Sequence, residues 1–371
     1  MDPREQFCHN RECWAYGRQG EGHIAIHSRQ ERRYRCDRCG RTFSATKGTA
    51  LYRAHKAQAV VVPVVTLLAH GCPPQAIVAA FGWDERTVAR YQQEAGAQCR
   101  RVHEHAVEAG RVALEQVQAD ELRVRIVGGV VWLAMALSVT SRLWLGGVVS
   151  VHRDRHLIRA LLGRVRACGP TPCLLLCVDG LSSYVSQARR VFREAAQTGQ
   201  PGRPRLVLPA GVMIAQVVKR YAKRRVVGVA RRVVRGTAAA VQTRLSATQD
   251  AAGAVINTAY VERLNATFRA HLSALVRRTR ATARHAATLE AGMWLAGACY
   301  NFCWPQDSLR RQRGAAAPPG GKWIVCTPAQ AAGLTAHRWS VHELLTFRVP
   351  PPPVKRRGRR PRWLQEVVHA A

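Results

Sequence analysis

The run Leu174-Leu175-Leu176-Cys177-Val178 contains no polar residue and stops at Asp179-Gly180. An unbroken apolar run cannot alternate a dry face with a wet one, so it predicts a central strand covered on both sides. The chain therefore needs a sheet with helices over it. Residues 124–127, 130–137 and 142–151 read as further strands, with Gly146-Gly147 loosening the third. Residues 156–167 read as a helix that Pro170 and Pro172 end. The acid at the tip of the buried strand is costly unless it meets a cation or a strong donor. The alternative is a solvated turn residue ahead of Gly180. A second acid, Asp120, lies in the run Gln116-Val117-Gln118-Ala119-Asp120-Glu121-Leu122, which starts the strands.

Charge narrows the partners. The 371 residues carry 57 Lys+Arg against 23 Asp+Glu, a formal net charge of +34. Such a charge opposes compaction unless an anion shares the surface, and nucleic acid is the natural candidate. Only six of the cations are Lys. Codon bias can favour Arg over Lys, but it does not explain the shortage of acids. No acid occurs between Glu194 and Asp250, while Arg203, Arg205, Lys219, Arg220, Lys223, Arg224, Arg225, Arg231, Arg232, Arg235 and Arg244 accumulate. That is a nucleic-acid footprint, or more blandly a basic solvated insertion.

The first fifty residues hold two cysteine pairs, Cys8/Cys13 spaced C-x4-C and Cys36/Cys39 spaced C-x2-C. Zinc takes four soft ligands in a tetrahedron, and two short knuckles on facing hairpins supply them. Gly40 suits the tight turn after the second pair. A segment this small and polar has little core, so metal would fold it. His9, His23 and His27 read as solvated, and Cys72, Cys99, Cys168, Cys173, Cys177, Cys299 and Cys303 as packing thiols. No apolar leader occupies residues 1–8, and the longest apolar run, 126–141, is shorter than the roughly twenty residues of a membrane span. The expectation is a cytoplasmic protein with reduced cysteines and no membrane contact.

Between ribbon and strands, residues 60–69 are mostly apolar, Gly71 breaks them, and Pro73 to Gly82 and Trp83 to Tyr91 follow as two short helical patterns. Asp84 is placed to N-cap the second. This is the helix-turn-helix pattern, with Arg86, Thr87 and Arg90 toward the major groove. A connecting helix over 98–115 would lead into the strands.

The third isolated acid is Glu262, in Asn257-Thr258-Ala259-Tyr260-Val261-Glu262-Arg263-Leu264-Asn265-Ala266-Thr267-Phe268-Arg269. As a helix, Leu264, Phe268, Leu272 and Leu275 form an apolar stripe, and Glu262, Asn265 and Arg269 share another face. Three carboxylates, Asp120, Asp179 and Glu262, suit hard divalent cations, which want oxygen ligands, and can hold two metals roughly 4 Å apart. A surface Glu paired with Arg is the plain alternative for Glu262.

With Gln118 through Glu121, Val178 through Leu181, Asn257 through Arg269 and Tyr300-Asn301-Phe302, the chain resembles the DDE transposases of bacterial insertion sequences. It is most similar to the insertion-sequence-one type with an upstream zinc ribbon and helix-turn-helix. The resemblance runs from Cys8 to about Leu345. It implies a multidomain α/β protein with a ribonuclease-H-like catalytic domain. Asp120, Asp179 and Glu262 would be its Mg2+ (or Mn2+) triad, and Cys8, Cys13, Cys36 and Cys39 the ligands of a structural Zn2+. Arg269 would touch DNA phosphate, Asn265 lies on the same DNA-facing side, and Arg86, Thr87 and Arg90 would bind DNA. The implied reaction is cleavage at transposon ends and joining of the freed 3′-hydroxyl to target DNA, by a homodimer or higher oligomer at the nucleoid. The implied divisions are zinc ribbon 1–50, helix-turn-helix 56–97, connecting helix 98–115, catalytic domain 116–313, and linker, small helical segment and basic tail 314–371. Arg123, Trp304 and Gln306 depart from the family's pattern, and the strand 132–138 lacks an expected acid. The alternatives are a catalytically decayed or domesticated DNA-binding regulator and a structure-selective nuclease.

Overall fold

The computed structural model describes residues 1–196, 203–223, 225–248, 254–276, 282–313 and 322–352. Arg224, Asp250, the linker at 314–321 and the tail from 353 onward lie outside them. The chain divides into two compact units, Met1–Arg53 with Arg348–Ala371, and Ala54–Phe347.

The first unit is a three-stranded antiparallel sheet, β1 (Ile24–Ser28), β2 (Arg33–Cys36) and β3 (Thr42–Ser44), in the order β1-β2-β3. Tyr34 and Phe43 stack across it with ring centroids 5.9 Å apart. Gly40 takes φ +69°, and its N–H donates to the Cys36 carbonyl, so the turn after the second cysteine pair closes as expected. The first pair sits on no hairpin. Cys8 makes only an isolated bridge to Tyr16, and turns hold Cys13. His23 is buried, not solvated, with neither ring nitrogen bonded among the described residues. His9 is half-buried, and burial holds its imidazole neutral, down to about 4.

In the second unit, α1 (Gln58–Ala69), α2 (Pro74–Phe81) and α3 (Glu85–Ala106) precede the large sheet. Gly82 leaves α2 in the left-handed region, and Asp84 caps α3 by accepting from the Arg86 N–H at 2.8 Å. There is no separate connecting helix. α3 runs on unbroken to Ala106, and residues 107–115 are not helical. Gly96 within it is a packing residue: a Cβ there would lie 2.5 Å from the Ala291 carbonyl.

The sheet strands are β4 (Gln116–Ile126), β5 (Gly129–Ser138), β6 (Trp144–Ser150) and β7 (Leu175–Asp179), then β10 (Met213–Ala222) and β11 (Arg225–Arg235). The two-residue strands β8 (Glu194–Ala195) and β9 (Leu206–Val207) pair with each other. The sheet order is β11-β10-β7-β4-β5-β6, with β7 parallel to β4 and to β10 and the other pairs antiparallel. The helices are α4 (Arg155–Cys168), α5 (Ser182–Val191), α6 (Ala238–Thr248), α7 (Ala259–His271) and α8 (Ala286–Phe302). Asp154 caps α4, whose Leu157, Leu161, Leu162 and Val165 form the buried stripe. A side chain at Gly146 would meet Arg164 of α4, and one at Gly147 would meet Met293 of α8. Successive strand residues face opposite ways, so these helices cover opposite faces of the sheet. That explains a β7 buried from Leu175 to Val178. The two-residue strands β12 (Arg311–Gln312) and β13 (Trp323–Ile324) and the short helices α9 (Pro328–Ala331) and α10 (Val341–Thr346) complete the unit. Cys99, Cys168, Cys177, Cys299 and Cys303 are buried as expected, whereas Cys173 is exposed. No helix among the described residues is long and apolar enough to cross a membrane.

Asn301 fastens α8 to β6. Its Oδ1 accepts from the Trp144 N–H and its Nδ2 donates to the Trp144 carbonyl, both at 2.9 Å and fully buried. Asn301→Ala orphans both backbone groups and is expected to cost ~2–4 kcal/mol. The urea midpoint should fall with an unchanged slope. An unmoved midpoint would show that the pair contributes nothing.

Candidate functional site

Four sulfurs gather in the small unit. Cys8 and Cys39 lie 3.7 Å apart at Sγ, Cys13 and Cys36 4.0 Å, and one Sγ of each lies within 4.8 Å of the other three. A tetrahedron with Zn–S bonds of about 2.3 Å has edges of about 3.8 Å. The Asn10 and Ala15 N–H groups reach Cys8 and Cys13 at 3.4 Å, donors that steady thiolates. Burial pushes the Cys8 thiol up. For Cys39 burial acts the same way, but the Arg41 N–H and neighbouring side chains outweigh it, and the thiol sits down at about 7. The cluster has the composition and spacing of a metal centre.

The carboxylates collect where β7 ends. Gln118 pairs with Cys177, so Asp120 lies level with Asp179 on the neighbouring parallel strand. Beyond Gln118, β4 no longer pairs with β7, and its far end at Ile126 bridges Ala283. Glu121 is the unexpected member: oxygens of Asp120, Glu121 and Asp179 all lie within 4.8 Å of one another. Strand alternation assigns Glu121 to the face opposite Asp120. Its carboxylate is fully buried, taking the Arg153 Nε at 2.7 Å and the Tyr184 hydroxyl at 2.8 Å. Arg153 also reaches Asp179 Oδ2 at 3.5 Å. The available sequence signal was the Asp-Glu pair itself, on a strand that outruns its neighbour.

Glu262 is not in this group of three. It is half-exposed and pairs with Lys219 of β10 at 2.7 Å, and Thr258 donates to the same oxygen. It remains within electrostatic reach of Asp120. Burial first, then the charges of Glu121, Asp179 and Glu262, push the Asp120 carboxyl up to about 6. Burial and the charge of Asp179 also raise Glu121, against the hydrogen bonds from Tyr184 and Arg153. Asn265, on the helix face expected from its spacing, donates Nδ2 to Asp120 Oδ2 at 2.7 Å. Its own Oδ1 is buried and has no partner among the described residues. A buried orphan oxygen beside clustered carboxylates is a set of hard oxygen donors that could hold a cation. Arg269 lies two turns on from Glu262, half-buried. Arg86 is exposed at the start of α3, with Thr87 and Arg90 half-buried, and Arg90 lies 4.0 Å from Glu94.

Gln118 sets the helix against the strand. Its Oε1 accepts the Tyr260 and Val261 N–H groups at 3.0 Å, two orphan donors of the α7 N-terminus. Its Nε2 donates to the Asn257 carbonyl and side chain at 2.9 and 3.0 Å. The side chain is wholly buried. Gln118→Ala is expected to cost ~2–3 kcal/mol and to free the first turn of α7, read as lost amide-exchange protection at Tyr260 and Val261. Unchanged protection there would contradict the capping role.

The hairpin β10–β11 continues the sheet beside the acids. Arg232 donates to Gln216, and Gln216 donates to the Asp179 carbonyl, so the basic hairpin is tied to the acidic strand tip. Val226, Val227 and Val229 on β11 are exposed. No protein-family model matches the chain, and a search of the curated proteins finds no match.

Proposed function

We propose that the protein is a metal-dependent DNA-cutting and joining enzyme, a DDE transposase with a ribonuclease-H-like catalytic domain. One observation carries the reading: Asp120 and Asp179, level on adjacent parallel strands, share a cluster with Glu121 and border the orphan oxygen of Asn265. The arrangement suits Mg2+ or Mn2+, with Asp120, Asp179 and Asn265 as ligands and Glu262 delivered by α7. A bound divalent pair would supply an activated oxygen and charge stabilisation at phosphorus. The protein's own part is to hold those oxygens. Gln118 anchors α7, Gln216 anchors the backbone at Asp179, and Arg153 with Tyr184 locks Glu121. Lys219 and Arg153 lie at the acids as cations that metal binding would release or reorient.

The flanking features support the same reading. Arg220 and Arg225 of the basic hairpin have no acid partner among the described residues, which suits phosphate contact. The α2–α3 pair, with its left-handed Gly82 and capped α3, suits a helix-turn-helix that offers Arg86, Thr87 and Arg90 to DNA. The four-cysteine cluster suits a structural zinc. The reaction assigned here is cutting at element ends and transfer of the 3′-hydroxyl, by a dimer or larger assembly on DNA.

The test is cleavage of a labelled duplex carrying the element's ends, in magnesium, by wild type and by Glu262→Gln. Nicking and strand transfer by wild type alone is the expected result. Binding by both proteins with cutting by neither would replace the enzyme with a DNA-binding regulator. Nicking without strand transfer would make it a nuclease.

A further inference from the structure

Helix α7 has a second working face. Tyr260, Arg263, Leu264 and Thr267 follow at i, i+3, i+4 and i+7, on the side of the helix opposite Glu262, Asn265 and Arg269. They line a cavity of about 180 Å3 with Leu137, Arg142, Tyr300 and residues 306–308. A cavity near 150 Å3 accepts a benzene ring, so this one is sized for a single planar ring system.

The lining is built for an anion with an aromatic part. Arg142 lies over the Tyr260 ring, its guanidinium carbon 4.0 Å from the centroid, in the left-handed region at φ +58°. Its guanidinium also donates to the Val139 carbonyl, which fixes its direction. Neither Arg142 nor Arg263 has a carboxylate partner among the described residues, and Asp307 in the same lining pairs with neither. Tyr300 is 5% exposed, yet its hydroxyl has no hydrogen-bond partner among the described residues. Both arginines lie within electrostatic reach of that hydroxyl. A Tyr300 hydroxyl with no partner among the described residues and two guanidiniums with no carboxylate partner there therefore border one ring-sized space. Among ligands with a ring and a charge, a nucleotide matches all of it: stacking for the base, and charge-assisted bonds for the phosphate.

We propose that this cavity receives one nucleotide of a DNA strand, its base beside Tyr260 and its phosphate between Arg142 and Arg263, with the Tyr300 hydroxyl as a further donor. The proposal rests on the reading that the chain handles DNA. It adds that a nucleotide is drawn out of its stack on the side of α7 opposite the carboxylates, which would fix the strand relative to them.

The test uses the full chain in magnesium-free buffer and a short duplex with a single-stranded extension carrying 2-aminopurine. Wild type should bind the extension and quench the 2-aminopurine. Tyr260→Ala and Arg263→Gln, both at positions with solvent access, should lose the quenching and about tenfold in affinity. Tyr300→Phe, which removes one oxygen and leaves the ring packed, should weaken binding severalfold. Arg86→Ala should weaken duplex binding with quenching intact. Free dAMP should compete only weakly, and competition as strong as the extension's would overturn a strand site in favour of a free nucleotide. If the pocket variants bind and quench like wild type while wild type still cuts DNA in magnesium, this site falls and the enzyme reading stands. If wild type binds no DNA, both fall.

Discussion

Cys36→Ser unfolds the small N-terminal unit and leaves the large unit folded. The small unit has a small apolar cluster of Ile24, Tyr34, Phe43, two alanines and three of the four cysteines, with Phe7, Ala50 and Leu51 also buried. Three short strands around so small a core have little apolar burial to set against the entropy of ordering the segment. A metal on the four thiolates would add its binding free energy to folding. Removing Sγ of Cys36 opens the tetrahedron and leaves Cys13 without its neighbour at 4.0 Å. The large unit has its own sheet and covering helices and no ligand in that cluster. The expected result is loss of one zinc equivalent, rapid proteolysis within residues 1–53, and an intact fragment that begins near Ala54. Cys72→Ser, which alters a half-buried thiol outside the cluster, should keep its zinc. A Cys36→Ser protein that retains zinc and resists protease would show that the unit is held by packing alone.

Some of this architecture is legible in the sequence because it is local. The apolar run before Asp179 can only be a covered strand, and β7 is one. The stripe of Leu157, Leu161, Leu162 and Val165 requires a helix, and α4 runs from Arg155 to Cys168. The second cysteine pair declares its turn through Gly40. What was not legible depends on distant partners. Gln118 is an ordinary polar strand residue until the α7 N-terminus arrives from 142 positions away to be capped. Gly96 and Gly297 look like helix weaknesses, yet a Cβ at Gly297 would lie 2.1 Å from the Trp144 ring, so they are contact points. Glu121 joins the acids although strand alternation assigns it to the face opposite Asp120, which needs the folded strand ends to be seen. The basic stretch around Arg225 to Arg235 shows its charge in the sequence but not the hairpin of β10 and β11 that carries it. The stripe assigned to α7 ran too far: the helix ends at His271, and Leu275 is buried from a separate 3-10 turn.

Under the proposed function, Asp120→Asn abolishes strand cleavage and, in magnesium-free protein, raises stability. The two effects share one cause. Asp120 is mostly withdrawn from water and shares its surroundings with Glu121, Asp179 and Glu262, so its carboxyl rises from 3.8 to about 6. Above that value the folded protein holds a charge it resists. The protonated form stabilises the fold fully below about pH 4, and this contribution is lost as pH rises through about 6. The difference corresponds to ~3 kcal/mol, an order-of-magnitude figure. An Asn is neutral throughout and still offers an oxygen to the Asn265 Nδ2. The variant and wild type should therefore melt together near pH 4, and the variant should melt higher near pH 7.5. Magnesium should reverse the order, because it binds the anionic site and raises the melting temperature of wild type much more than that of the variant. Cleavage by the variant should fall by at least about 10³-fold, the scale of several kcal/mol of lost metal-borne charge stabilisation. Equal melting across this pH range would mean that Asp120 is relieved by a partner, and equal magnesium stabilisation would mean that the cation sits elsewhere. A pH-dependent gap that magnesium closes would tie the instability of the acid cluster to its function: the fold keeps Asp120, Glu121 and Asp179 together at a cost that a divalent cation offsets.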